Sequence, residues 1–285
     1  MSVVWHARLQ HSDVSTGTHG KLCASFERRA GRVDLIHLSS RPPLQTMRPL
    51  RPDGPNGVAE MVISTLGPGM LGGDRTTIAI QAGRGSHVRV TTPSANRIHA
   101  HRGSQSTVAE VQLRVDASAI LEWLPLPTIV QADARFRQSI HVSLDCGSIA
   151  LVADVWVPGR LARGECFAFE WLDSSLTASD QSGRELVADR LFLRPAIDSP
   201  GRSGILPEPH VVFGSLFVLA PDRSLEDLEL AIANTLPLLA GVTRLPNAAG
   251  IVVRAVGDGA DAVIRPLSDA VRLTRHALFR RVADR

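Results

Sequence analysis

The sequence predicts a mainly β architecture, many short strands with two helices near the C-terminus. Three observations carry this. Apolar and polar residues alternate with a period of two, most clearly in His87-Val88-Arg89-Val90 and Val111-Gln112-Leu113-Arg114-Val115. Turn chemistry punctuates the chain at Asp53-Gly54, Gly67-Pro68-Gly69, Gly72-Gly73-Asp74, Gly83-Arg84-Gly85 and Cys146-Gly147. Helical spacing of leucines and valines is confined to the last quarter of the chain.

Taken in order, strands are expected at residues 32–38, 58–66, 76–80, 86–92, 108–115, 139–144 and 149–157. Further strands are expected at 165–171, 186–193, 211–219 and 250–256. The first helix opens on Ser224 with Asp227 in a capping-box arrangement and carries Leu225, Leu228, Ile232, Leu236 and Leu239 on one face. Pro237 kinks its last turn and Gly241 stops it. The second helix is expected over 268–282, with Val271, Leu278 and Val282 opposite Arg272, Arg275 and Arg280. The Pro- and Gly-rich stretches 41–57 and 195–209 read as excursions between strands. The 285 residues therefore read as a single domain, with residues 1 to about 16 a mobile start.

Composition excludes several classes. With 44% hydrophobic and 21% charged residues, the chain has material for a core and is not disordered. Lys21 is the only lysine among 31 basic residues, and tyrosine is missing, which codon bias explains. Acids and bases interleave to a net charge of +3, and aromatics make up 4%. A nucleic-acid binder would concentrate basic charge and stacking aromatics, so no nucleic-acid partner is expected. Cys23, Cys146 and Cys166 form no CxxC, against a disulfide framework or a structural zinc site. No apolar run reaches the ~18 residues of a membrane span, and the N-terminus carries no apolar leader. The expectation is a cytoplasmic protein without a membrane partner.

Three polar constellations stand out. Residues 67–74 (Gly-Pro-Gly-Met-Leu-Gly-Gly-Asp) end a glycine-rich loop on Asp74, which either binds a cation transiently or bonds its own backbone. Gly159-Arg160 with Gly164-Glu165 follows Asp154, and Arg160 suits a bidentate pair with Glu165 or Asp154. His99 and His101 would share one face of a strand, as a metal pair or a solvated edge. No nucleophile elbow, zinc-protease motif or dinucleotide fingerprint occurs.

The order of these motifs resembles the UreD (UreH) family of urease accessory proteins. The segment from Gly67 through Gly72-Gly73-Asp74 and Gly85 to Thr91-Thr92 is similar to the family's central signature. Leu121-Glu122-Trp123-Leu124-Pro125 with Ile129 follows, then Asp154 and Gly159-Arg160 with Gly164-Glu165 and Phe167. Arg190-Leu191, Thr243-Arg244-Leu245-Pro246 and residues 250–254 match its end region. Departures are Gly67-Pro68 for Pro-Pro, Arg97 for lysine, His99 for an aromatic and Asp154 for glutamate.

The resemblance implies a coiled, β-helix-like body with two helices. It implies a non-enzymatic urease maturation factor that assembles with UreF-type and UreG-type proteins and docks on apo-urease. No cofactor would be tightly bound, and nickel would pass in transit. Asp74, Asp154 and Glu165 are the expected transient nickel ligands, since isolated carboxylates bind weakly enough to release. Gly72, Gly73, Arg97, Gly159, Arg160 and Gly164 would form the structural or partner motif. The alternative is a metal-dependent hydrolase or lyase on a β-helix using Asp74, His99 and His101.

Overall fold

A computed structural model describes residues 17–100, 105–198, 200, 206 and 209–279. The expected mobile start and His101 lie outside the described residues. The backbone coils. Strand β5 (Arg75–Ala82) leads to β6 (His87–Thr91) and the short β7 (Asn96–Ile98). The next coil repeats this as β8 (Thr107–Val115), β9 (Ile120–Trp123) and β10 (Thr128–Val130). The third is β11 (Arg135–Leu144) followed by β12 (Ile149–Val157). Like strands stack in parallel: β5 on β8 on β11, β6 on β9 on β12, and β7 on β10. The chain thus has the β-helix-like form expected, with two broad faces and a narrow third.

The remaining strands extend both broad faces. In the first, β1 (His19–Arg29) and β2 (Arg32–Arg41) add at one edge, and β13 (Trp171–Asp180) and β14 (Glu185–Leu193) at the other. In the second, β3 (Leu44–Thr46) and β4 (Ala59–Thr65) lie at one edge. Its other edge is built by β15 (Val212–Leu219), β17 (Gly250–Gly257) and β16 (Ala240–Arg244), paired antiparallel. The sheets have 7 and 10 strands, the latter counting β7 and β10. Antiparallel hairpins at the ends supply the partners that the outermost parallel strands would otherwise lack.

Alternation explains the core. The inward residues Ile80, Leu113, Val142 and Ala178 of one sheet pack against Val90, Leu121, Val152 and Phe217 of the other. Strand β12 has no polar face because its outward residues Ile149, Leu151, Ala153, Val155 and Val157 are also covered. The covering elements are α2 (Glu226–Ala233) and α3 (Ala260–Thr274), through Leu228, Ile232, Val263, Leu267 and Val271. A four-residue helix α1 (Pro195–Asp198) falls in the excursion after β14.

Four expectations need correction. The first helix ends at Ala233 instead of running past Leu236, and the chain through Gly241 is strand β16. Asn234 caps it, and Pro237 lacks the amide that would continue it. Its N-cap is Leu225, with no side-chain bond from Ser224. The second helix begins at Ala260, about two turns early, holds Pro266 within it, and passes into a π-helical turn over Arg275–Phe279. The segment 165–171 is mostly loop, and the strand follows it as β13. Strand β1 had no prior assignment; its inward residues are Leu22, Ala24 and Phe26.

Candidate functional site

The site is a recess between the two sheets, with a cavity volume of about 120 Å³. It exists because one layer of the core is polar and small. Along β12 the inward positions read Ala150, Val152, Asp154 and Trp156, so a carboxyl group occupies a core position. Across the gap, Thr76, Ala109, Gln138 and Ser174 stand in register on β5, β8, β11 and β13. The layer beneath, with Ile78, Val111, Ile140 and Leu176, is apolar. Ala109 leaves the space that a larger residue would fill.

Asp154 is partly exposed, and that exposure faces the recess, which it lines with Gln138, Thr76, Thr128 and Trp123. The Gln138 Nε2 group donates to both carboxylate oxygens, at 3.0 and 2.9 Å. The Ser174 hydroxyl donates at 3.4 Å. Burial drives the Asp154 carboxyl up to about 7, against the lowering effect of these bonds, and the Asp189 charge raises it further. It is therefore poised to gain or lose a proton near neutrality.

The mouth is built from residues 67–69, 92–97 and 125–126. The glycine loop is pinned to β7: Met70 N–H donates to Arg97 O at 2.8 Å, and His99 N–H to Met70 O at 2.9 Å. The His99 Nε2–H donates to Pro68 O at 3.0 Å, while Nδ1 lies 3.1 Å from the Gln131 amide. Gly69 is required here. Its φ is +140°, and a Cβ would sit 2.3 Å from Arg97 O. Arg97 is exposed at the rim.

The other expected residues are placed as follows. Asp74 is buried at the end of the glycine loop, its Oδ1 accepting from Thr18 N–H and Oγ–H at 2.7 and 2.8 Å. Its Oδ2 accepts from Leu71 N–H at 2.8 Å. The turn closes through Asp74 N–H to Leu71 O at 3.0 Å, with Gly72 at its second position and Gly73 at a φ of +87°. Glu165 folds back on the loop after β12. It accepts from Arg160 Nε at 2.8 Å, from Arg160 Nη2, and from Ala132 N–H at 3.1 Å. The Arg160 hydrogen bonds hold the Glu165 carboxyl below its usual range, with burial opposing. Gly159 is needed because a Cβ would lie 2.5 Å from Glu165 O, and Gly164 turns the loop at a φ of +72°. So Arg160 pairs with Glu165 and not Asp154, and of the three acids only Asp154 lines the recess.

The motifs did not show two features, the partners of Asp154 and the charge cluster around Glu122 of the 121–125 motif. Gln138 and Ser174 are ordinary strand residues whose partner lies on the opposite sheet. Glu122, on the outward side of β9, is completely buried in a charge cluster. It meets His87 Nε2 at 2.6 Å, Arg275 Nε at 2.9 Å and Arg89 Nε at 3.4 Å. Arg89 also pairs with Glu60 at 2.9 Å, and the Phe279 ring packs edge-on to His87 at 4.9 Å. Burial pushes the Glu122 carboxyl up, but the His87 and Arg275 bonds and charges prevail and bring it to about 2. This cluster fastens the π-helical turn to β6 and β9. Among the described residues, no three His, Cys, Asp or Glu side chains converge as a metal cage.

Fold and site together define a β-helical protein whose distinguishing polar feature is an interior recess with one carboxyl group. The UreD urease accessory protein profile matches residues 18–285. The urease accessory protein UreD of Haloarcula marismortui is 36% identical over 252 residues, covering 87% of this chain and 83% of that protein. UreD of Acaryochloris marina is 35% identical over 256 residues, covering 86% and 85%. UreD 2 of Brucella abortus is 31% identical over 272 residues, covering 90% and 89%. This chain belongs to the UreD family of urease accessory proteins.

Proposed function

We propose that this protein acts in urease maturation as a scaffold and nickel conduit, without catalysing a reaction itself. Nickel is its cargo, and Asp154 is the residue we assign to meet the ion inside the body. The carrying observation is that carboxyl group in a core position, lining a recess that opens between the glycine loop and the 92–97 segment. A single carboxylate with neutral neighbours holds a divalent ion weakly, as transit demands. Asp74 and Glu165 serve by shaping the loops on either side. UreF-type and UreG-type proteins and apo-urease are the proposed partners, and the cytoplasm the proposed compartment. No described helix is long and apolar enough to cross a membrane. The hydrolase alternative draws no support from Asp74 or His99, whose polar atoms are engaged in loop contacts.

The test is activation of apo-urease by nickel with Asp154→Ala protein co-assembled with its UreF- and UreG-type partners. Assembly is expected to persist while nickel loading falls. Full loading by the variant refutes the assignment.

A further inference from the structure

Among the described residues, Gln138 alone reaches across the sandwich to bind both oxygens of Asp154, and it does so from the opposite sheet. Its amide N–H group is a donor and not a metal ligand. While it holds the carboxylate, Gln138 engages a lone pair on each oxygen and Ser174 a second on Oδ2, so a cation that chelates both oxygens must displace the Gln138 bond. The neighbours share this character. Ser174 also donates to Asp154, and Thr76, Ala109 and Thr128 add no second carboxylate.

We propose that Gln138 is the positioning residue that keeps Asp154 a weak, releasing site: its amide competes with the bound cation and returns the carboxylate to its resting hydrogen bonds when the ion leaves. The proposal rests on the conduit reading of Asp154. A hydrogen bond to a charged group is among the stronger ones in proteins, so its loss has a measurable effect on a competing ligand. The layers on either side are apolar, with Phe136 and Ile140 flanking Gln138 on β11. A methionine of similar length therefore fits the position, and a glutamate keeps its shape.

The experiment titrates the full-length chain with Ni²⁺ against a chromophoric chelator at pH 8.5, and follows the visible spectrum of Co²⁺ in parallel. The proteins are wild type, Gln138→Met, Gln138→Glu and Asp154→Asn, the last setting the background from surface histidines. Gln138→Met is expected to bind about tenfold tighter above that background, with a changed Co²⁺ spectrum. Gln138→Glu is expected to bind tighter still and to slow nickel release to apo-urease. If Asp154→Asn removes the specific binding but Gln138→Met leaves the affinity unchanged or weaker, the inference is overturned and the conduit reading stands. Should Gln138→Met fail to fold, Gln138→Glu decides: affinity no greater than wild type overturns the inference. If Asp154→Asn leaves binding unaltered, the conduit reading falls and the inference with it.

Discussion

Replacing Asp154 by asparagine should make this protein more stable, and by an amount that depends on pH. The carboxyl group is shifted from 3.8 to about 7 by burial. In the unfolded chain it loses its proton near 3.8; in the folded chain it keeps it until about 7. Between those values folding holds a proton that unfolding releases, so this group's contribution to stability falls as pH rises. About three units at 1.36 kcal/mol each gives a cost of about 4 kcal/mol above pH 7. Water entering the recess screens the charge, so about 2–4 kcal/mol is the expected range. Asparagine keeps the shape, and its amide oxygen accepts one of the two Gln138 bonds without ionising. Urea unfolding of both proteins at pH 4.5 and pH 8 is the assay. The stability gap in favour of the variant should be small at the lower pH and should widen at the higher. A gap that is equal at both values would show that the carboxyl titrates as a solvated group, and the reading of the recess would fail. The same variant should lose nickel delivery, a case of stability held back by function.

Other substitutions test the supporting structure. Glu122→Gln should cost about 3 kcal/mol at pH 7, from the 4.5 to about 2 shift of the carboxyl. That contribution is complete above pH 4.5 and disappears as pH falls through about 2, so melts of the two proteins should converge in acid; equal melting at pH 7 would refute it. Gly69→Ala should displace the mouth loop at a cost of about 1–3 kcal/mol, read as faster hydrogen exchange at the Met70 and His99 amides; unchanged exchange would count against the pinned loop. Asp74→Ala leaves the Thr18 and Leu71 amides without their acceptor, costing about 1–3 kcal/mol. It should leave specific Ni²⁺ binding unchanged, whereas lost binding would return Asp74 to the cation path.

Much of the fold was legible because the coils obey simple alternation. Strands β6 and β8 fall within a residue of the expected limits because buried and exposed positions alternate, β5 runs two residues past its expected end, and β12 was legible as an apolar run. The misplacements have physical causes. Phe167 and Phe169 read as strand residues, yet they pack from a loop, while the alternate positions of β13 that face outward are Ser175, Thr177 and Ser179. Leu236 and Leu239 continue the helical spacing of α2, but backbone geometry at Asn234 and Pro237 decides its end. At the site, an acid in an inward phase of an otherwise apolar strand was a readable anomaly at Asp154. Its partners were not, because Gln138 and Ser174 reach it from the opposite sheet, a packing contact that leaves no local pattern. The Glu122 cluster was hidden for the same reason, its residues being drawn from three separate elements.

That cluster also sets a timetable for the chain as it is made. Glu122 and Arg275 are 153 residues apart, so Arg275 is made long after the coil it clamps. Until it arrives, β9 carries a carboxylate that has His87 and Arg89 but lacks Arg275. The early coils can therefore stack as they emerge, yet the outer face of β6 and β9 is completed only by the π-helical turn that follows α3. Shortening the protein before Arg275 would remove more than a terminal turn. It would leave the Glu122 carboxylate with only His87 and Arg89 against it and its outer cover missing, a fault that quality-control proteases would meet as an unfinished protein.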